Sequence, residues 1–266
     1  MKIKIFSLSK TIGLWFCLCF LAISGAAQKT DEKAEAVLKK AVQVLGGDNY
    51  LKVRSQIGRG KFSVIRDGMI GSFQTFVDVI VFPDRERTEF KEFGKKAVQT
   101  NTGDTGWIFD ATAEVINVQT ETQVKDFKRG INASLDNLLR ENWRGKADLT
   151  YVGKREATLG KRNDVVKLTY GGDGFTVEFE FTAEGFPSKT IYKRTNPDGE
   201  DTKEEDRYAQ FVEVQGIKTP FIIDHFSRGV HTSRINYETI EFNKPIPDSI
   251  FTKPTSPKEV KKDLKL

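Results

Sequence analysis

The sequence predicts a mainly β protein with some α-helix, built on a single curved antiparallel sheet, or half-barrel, of about 11 strands. Apolar residues occupy every second position in segments such as 174–181, the period at which a strand turns side chains to opposite faces. Turns such as Asp67-Gly68 separate these segments, which favours antiparallel hairpins. Two segments have helical apolar spacing. Two helices cannot cover both faces of such a sheet, so we expect them in its concave side.

Residues 1–27 have the features of a cleaved export signal. Three Lys residues precede an uncharged apolar stretch at 12–23, and small residues lead up to Gln28. The stretch is shorter than the roughly 20 residues that a membrane-spanning helix needs. Cys17 and Cys19 lack the small preceding residues of a lipoprotein signal. We expect cleavage and export to the periplasm; the alternative is an uncleaved N-terminal anchor.

The mature chain predicted by this cleavage has no Cys and is nearly neutral. Cleavage removes three Lys and no acidic residue, so the formal net charge falls from +5 to +2, with 39 basic and 37 acidic residues. This balance argues against a nucleic-acid partner, which usually requires a basic surface. The absence of Cys excludes a disulfide, a thiol nucleophile and a Cys metal site from the mature chain. About 239 residues suffice for one large β domain.

A helix, a set of strands, a second helical segment and a second set of strands follow one another. Apolar spacing predicts a helix at 31–45 and helical structure at 124–143, either as one helix or as two broken near Gly130. Strand patterns dominate 60–118 and 148–242.

We expect one half-barrel domain over residues 28–252. The acidic segment from Asn196 to Asp206 predicts an exposed loop. Residues 253–266 are rich in Pro and Lys and predict a flexible C-terminal tail.

Few residues in the sequence are candidates for catalysis or for binding a metal. His225 follows Asp224, but its spacing to His231 fits no zinc signature, so we interpret both His as ordinary polar strand residues. Glu178 and Glu180 share one strand face, which we expect to be solvated. No Ser lies in a Gly-x-Ser-x-Gly elbow. The sequence therefore predicts no catalytic residue, no metal site and no cofactor.

An aromatic and aliphatic stripe along the predicted strands is the strongest signal. Such stripes are usually closed core, but the scarcity of helices favours a core that is partly a cavity. Arg87, after Pro83, is a candidate contact for a lipid headgroup; the alternative is an exposed ion pair with Glu86 or Glu89. The predicted cavity wall is Phe62, Val64, Phe73, Val77, Val79, Trp107, Phe109, Phe175, Val177, Phe179 and Phe181, and the stripe continues through Phe221 and Ile223.

An ordered set of short motifs spans most of residues 30–254. It comprises a Gly-Gly helix end, a Gly-rich first strand, a Pro-then-Arg strand start, an Asn/Asp-Gly-Trp hairpin, a late hairpin and a terminal strand exit. These motifs lie at 41–47, 58–60, 82–87, 101–109, 214–220 and 243–251. Together they resemble the LolA/LolB-type periplasmic lipoprotein carriers and the wider group of outer-membrane lipoprotein-sorting proteins.

The resemblance implies an antiparallel half-barrel, closed by helices on its concave side, with a hydrophobic cavity that takes acyl chains without catalysis. We therefore expect a periplasmic, non-enzymatic monomer that binds or transports lipid or lipoprotein acyl chains. A second hypothesis is an envelope-stress sensor or interaction module on the same fold, with an envelope protein as its partner. The chain is longer than the simple carriers, which leaves the ligand open.

Overall fold

The computed structural model describes residues 31–110, 112–158, 160–195, 199–262, 264 and 266. The predicted export signal at 1–27 lies outside these residues. Within the described chain, no helix is both long and apolar enough to cross a membrane.

Strands form most of the described structure. The strands are β1 (Ser55–Arg66), β2 (Met69–Val81), β3 (Arg85–Glu92), β4 (Lys95–Thr102), β5 (Thr105–Asp110), β6 (Val115–Val118), β7 (Ala147–Thr158), β8 (Lys161–Tyr170), β9 (Thr176–Phe181), β10 (Pro187–Thr195), β11 (Asp201–Val214), β12 (Ile217–Ser227) and β13 (Val230–Phe242). The helices are α1 (Glu32–Leu45), α2 (Asp48–Leu51), α3 (Glu121–Ala133), α4 (Leu135–Leu139) and α5 (Pro257–Lys261), and a 3-10 turn lies at Asp248–Ile250.

The strands form one open antiparallel sheet in the order β6-β5-β4-β3-β2-β1-β13-β12-β11-β10-β9-β8-β7. The chain enters at the centre, meanders to β6, crosses through α3 and α4 to β7, and meanders back to β13 beside β1. The prediction of a mainly β fold on a single antiparallel sheet is confirmed. In the described residues the sheet has 13 strands rather than about 11, because even the four-residue β6 forms its own hairpin ladder.

Helix α1 is fixed at both ends. The Asp31 side chain accepts a hydrogen bond from the Lys33 amide at 2.8 Å and so caps the first turn. The helix ends at Gly46, whose φ of 129° favours glycine. A Cβ at Gly46 would lie 2.6 Å from the carbonyl oxygen of Gly216, so this glycine also permits close packing against the β11–β12 turn.

The second predicted helical segment forms two helices, and the break falls at Ser134 rather than at Gly130. Gly130 lies inside α3. Ser134 has an extended backbone, and its side chain accepts a hydrogen bond from the Asn137 amide at 3.1 Å, which caps α4. Thr120 and Gln123 form a capping box at the start of α3.

Ion pairs from α3 show that the sheet is strongly curved. Lys128 pairs with Asp104 in the β4–β5 turn, and the next residue, Arg129, pairs with Asp173 in the β8–β9 turn at 3.3 Å. In a flat sheet these two turns would be about nine strand spacings, or roughly 43 Å, apart. Two adjacent side chains cannot bridge that distance. The sheet therefore curves around α3, which defines a concave, or inner, face and a convex, or outer, face.

The inner face is closed under α1 and α4. Leu149, Leu168 and Val177 form one row across β7, β8 and β9, and none of them has exposed surface. Leu38 of α1 and Trp143, which follows α4, belong to the same buried cluster. The main hydrophobic core therefore lies on the β7–β9 side of the sheet.

The C-terminal strap, residues 246–262, covers part of the outer face. Val260 of α5 is 1% exposed and packs in a cluster with Trp107. Phe251 packs with Val79, and its carbonyl oxygen accepts a hydrogen bond from Trp107 Nε1 at 2.9 Å. The Pro- and Lys-rich composition of residues 253–266 predicted a flexible C-terminal tail. Its described part is instead packed, because the outer face of β1 to β5 is apolar and needs a cover.

Buried charges of the sheet hold the main chain of the strap. Arg87 donates a hydrogen bond to the carbonyl oxygen of Ile250 at 2.6 Å, and Lys96 donates to that of Lys262 at 2.6 Å. Both cations pair with Glu89, at 2.6 Å and 3.1 Å. The Glu89 side chain is 2% exposed. Charges this deeply buried need partners, and the strap supplies part of that set.

Part of the predicted acidic loop is strand. Asp201 begins β11, in which Glu204 and Glu205 are 5% and 8% exposed. The Glu204 carboxylate accepts a hydrogen bond from the Thr202 hydroxyl at 2.6 Å, and Arg207 donates to Glu205 at 2.5 Å. These partners replace water, which allows the acidic residues to lie within the sheet.

The face of β9 that carries Glu178 and Glu180 is less solvated than predicted. Glu180 is 1% exposed and accepts hydrogen bonds from Arg155 at 2.9 Å and from Asn163 at 3.2 Å. Arg155 also pairs with Glu178 at 2.7 Å. The neighbouring strands thus supply the polar partners that solvent was expected to provide.

The packing of the strap can be tested with Val260→Asp. The change would place a charge in an apolar cluster, so we expect the free energy of unfolding to fall by about 2–4 kcal/mol. Chemical denaturation followed by tryptophan fluorescence measures this. Lys258→Ala, on the exposed side of the same helix, is the control. An unchanged midpoint for Val260→Asp would contradict the packing.

Candidate functional site

The eleven predicted cavity residues lie on two different faces of the sheet. Strand register determines the face of each residue, because directly paired residues point to the same side. The residues on the inner face are Phe62, Val64, Phe175, Val177, Phe179 and Phe181. Those on the outer face are Phe73, Val77, Val79, Trp107 and Phe109. One cavity cannot be lined by both sets.

The four inner-face residues from 175 to 181 are part of the closed core. Val177, Phe179 and Phe181 are 0–1% exposed, and Phe175 is 6% exposed. Phe175 stacks on Tyr170 with ring centroids 5.9 Å apart. These side chains contact other side chains beneath the helices, so they do not present a free surface.

Arg87 lies on the outer face, beneath the C-terminal strap. Its guanidinium binds Glu89 and the Ile250 carbonyl oxygen and lies 5.3 Å from the ring of Trp107. The residue is 6% exposed. The structure thus brings Arg87 together with Glu89, as in the alternative reading of the sequence, but in a buried cluster rather than an exposed pair.

An open apolar patch occupies the inner face at the centre of the sheet. Phe62, Ile235 and Ile223 form a row across β1, β13 and β12, and all three are half-buried. Val64 lies two residues further along β1 and Phe90 lies on β3; both are also half-buried. Central strands are usually the most buried part of a sheet. Here α1 and α4 cover other strands, and these five side chains, the open patch, keep solvent contact.

Aromatic rings extend the open patch across the inner face. Phe90 meets Phe62 with ring centroids 5.7 Å apart, and Phe76 meets Tyr237 at 5.4 Å. Phe76 and Phe90 are also neighbours, at 6.5 Å. Gly58 makes room for this arrangement, because a Cβ there would lie 2.4 Å from the Tyr237 ring. The result is a continuous row of contacting aromatic rings from β3 to β13, in which Phe76 is buried.

A carboxyl pair lies beside these rings. Asp78 accepts a hydrogen bond from the Thr88 hydroxyl at 2.8 Å, and the same hydroxyl lies 3.3 Å from Glu86. Burial, with a smaller contribution from the charge of Glu86, raises the pKa of Asp78 well above its usual range. Burial also raises the pKa of Glu86. Two carboxyl groups in one buried site cannot both ionise readily, so the second ionisation of the pair is disfavoured.

A His–carboxylate cluster borders the open patch on its other side. His225 Nδ1 lies 2.7 Å from Asp206, and Nε2 lies 3.0 Å from Glu204. Glu204 also accepts a hydrogen bond from Ser227 at 2.9 Å. The hydrogen bond to Asp206 is the largest cause that raises the pKa of His225. Only the imidazolium can donate from both ring nitrogens, so this arrangement favours the charged form.

Two clefts border the helices that cover the sheet. The larger, about 770 Å³, lies between α1, α2 and Phe82-Pro83 and includes Arg54 and Arg140 in its lining. The smaller, about 200 Å³, lies between β2, β3 and α3, where Ile80 and Phe127 form part of its wall. Glu86 also lines the smaller cleft, so this cleft adjoins the carboxyl pair.

Part of this inner-face site was predicted from the sequence. Phe62 and Val64 of the open patch were predicted, and Ile223 belonged to the same stripe. Phe76, which was not among the predicted cavity residues, also lies on the inner face of β2. The sequence did contain a signal for this: Phe76 and Ile80 are an even number of positions apart, so both lie on the same face of the strand. No sequence spacing indicated that Glu204 and His225 meet across β11 and β12.

Comparison with known proteins identifies the fold. No protein-family model and no curated protein matches this sequence. Among solved structures, a DUF1329 family protein from Desulfovibrio piger matches with a TM-score of 0.58 and 13% identity, over 82% of this chain and 97% of that chain. A LolA superfamily protein from Nitrosomonas europaea matches with a TM-score of 0.56 and 15% identity, over 83% of this chain and 97% of that chain.

A third solved structure is an outer membrane lipoprotein-sorting protein domain from Vibrio parahaemolyticus. It matches with a TM-score of 0.56 and 12% identity, over 86% of this chain and 100% of that chain. Identities this low show the fold alone. The similarity predicted from the ordered sequence motifs is confirmed at that level: this chain has the fold of the LolA superfamily.

Proposed function

We propose that this protein binds an acyl chain of a lipid or lipoprotein on the inner face of its sheet and carries it through the periplasm without chemistry. The open patch at the centre of the sheet is the observation that carries the proposal. Of the residues predicted from the sequence, Phe62 and Val64 belong to the proposed site. Residues 1–27 support the periplasmic location, since their pattern is that of an export signal.

The physical basis of binding is removal of apolar surface from water. The patch residues Phe62, Phe90, Ile223 and Ile235 are half-buried, so each has apolar surface left to bury. Each ligand methylene that leaves water contributes about 0.8 kcal/mol. A long acyl chain therefore supplies enough free energy to offset the cost of association.

The charges around the patch favour a neutral acyl chain over a free fatty-acid anion. The carboxyl groups of Asp78 and Glu86 lie on one side, and those of Glu204 and Asp206 lie on the other with His225 between them. A ligand carboxylate between these groups would be repelled and would lose its hydration. An esterified or amide-linked chain, such as those of phospholipids and lipoproteins, avoids that cost.

Native mass spectrometry of the protein purified from its own host tests the proposal directly. We expect a co-purifying mass that corresponds to a lipid or a lipid-modified peptide. Gentle delipidation followed by addition of the neutral fluorophore N-phenylnaphthylamine should restore occupancy, seen as increased emission. A protein that carries no lipid and takes up no fluorophore would refute the function.

Ile223→Ala and Ile222→Ala form a matched pair for locating the site. Both residues are half-buried neighbours on β12, but Ile223 points to the inner face and Ile222 to the outer face. We expect Ile223→Ala to weaken fluorophore binding by roughly fivefold, the loss of about 1 kcal/mol of apolar contact. Ile222→Ala should bind as the wild type does. Equal effects of the two variants would argue against an inner-face site.

The carboxyl pair predicts a pH dependence of stability. A raised pKa in the folded state means that stability is fully present below the unfolded pKa of about 4 and is lost as pH rises through the folded pKa. Asp78→Asn should therefore lose less free energy of unfolding than the wild type between acidic and neutral pH. Denaturant titrations across this range measure it.

His225 acts in a second pH window. Its pKa is raised, so its contribution is present below the unfolded value of about 6.5 and is lost as pH rises through the folded pKa. His225→Gln should flatten the stability profile in this upper window. If Asp78→Asn and His225→Gln flattened the same window, the assignment of the two groups would be wrong.

A further inference from the structure

Three neighbouring hairpins expose large apolar side chains at one end of the sheet. They are the β3–β4, β1–β2 and β12–β13 hairpins, and their turns lie side by side because the strand order is β4-β3-β2-β1-β13-β12. We call these three turns the hairpin end. The exposed apolar residues there are Met69 at 71%, Ile70 at 65%, Phe93 at 97% and Val230 at 61%.

Folding does not account for Phe93. Its φ is 47°, in the left-handed region that disfavours bulky side chains. The corresponding turn positions of the other two hairpins carry Asp67 and Arg228, with φ of 52° and 53°. A Phe at such a position strains the backbone, and at 97% exposure it gains almost nothing from burial in return. A contact outside the chain would explain why an aromatic ring stands there.

An exposed basic side chain stands beside each of the three apolar tips. Arg66 and Lys95 are exposed beside the first two tips, and Arg228 is exposed in the third, where it pairs with Glu200 at 3.3 Å. The acidic groups within these tips are Asp67 and Glu92; Glu92 accepts a hydrogen bond from Gln74 at 2.9 Å.

We propose that the hairpin end docks onto an anionic lipid surface, with Phe93, Ile70, Met69 and Val230 entering the boundary between headgroups and acyl chains. The tips are separate projections spaced about 10 Å apart, not one contiguous patch. A fluid lipid layer accepts separate projections without shape complementarity, whereas a protein partner would need a matching surface. Long basic side chains beside apolar tips bind lipid phosphates while their stems stay in the interface.

The docked orientation gives the open patch access to the bilayer. Val64 lies two residues before Arg66, and Phe90 lies three residues before Phe93, so the patch begins just behind the tips. An acyl chain leaving the bilayer at this end would meet apolar side chains continuously. The membrane contact itself does not depend on the proposed function, because the tips project whether or not the patch is occupied.

Vesicle flotation tests the proposal. We expect the full mature chain to float with vesicles of phosphatidylcholine and phosphatidylglycerol in equal parts, and to float less with phosphatidylcholine alone. Phe93→Asn combined with Ile70→Thr should reduce flotation by about tenfold. Asn tolerates a positive φ, so this variant should fold at least as stably as the wild type. Val118→Thr, also at a highly exposed apolar residue (62%) but at the other end of the sheet, is the matched control and should float normally.

The possible outcomes are distinct. Flotation of the double variant equal to that of the wild type, or no flotation of the wild type, would overturn the proposal. Self-association that Phe93→Asn abolishes, measured by light scattering, would instead identify the end as a contact between copies and would also overturn it. Fluorophore uptake by the non-floating variant would show that the inner-face site survives, which separates failure of membrane docking from failure of the proposed function.

Discussion

A sheet with two apolar faces needs two covers, and this chain has few segments with which to make them. The alternation of apolar and polar residues is incomplete in β2, where Phe76 points inward and Val77 and Val79 point outward. Helices α1 and α4 close one part of the inner face, and the C-terminal strap closes one part of the outer face. On the inner face of the central strands the open patch is only half-buried, and the candidate site lies there.

The C-terminal strap gives a structural role to three charged residues of the sheet. Arg87, Glu89 and Lys96 form a buried charge cluster whose cations also bind strap carbonyl oxygens. Loss of Glu89 would remove the carboxylate that both buried cations share, which is costly. Arg87, which follows the strand break at Phe82-Pro83, therefore serves to attach the C-terminal strap. The polar groups that border the proposed site are instead the Asp78 and Glu86 carboxyls and the His225 cluster.

The central part of the inner face combines apolar surface with acidic groups that are already satisfied. Thr88 binds Asp78, and His225 lies between Asp206 and Glu204. Such a surface can bind an apolar chain, and the His225 imidazolium beside it is already held by two carboxylates. The same combination makes the folded state sensitive to pH, because the carboxyl pair and the imidazole prefer their protonated forms in the folded protein.

The sequence by itself determined the fold class and the order of helices and strands. These follow from local periodicity and turn residues, which act over a few positions. Only the tertiary structure decided which face each strand residue occupies, because a single bulge or a change of register reverses the assignment. That is why Phe62 and Trp107, predicted to line one cavity, lie on opposite faces. The pairing of His225 with Glu204 likewise depends on residues 21 positions apart, which local pattern cannot place together.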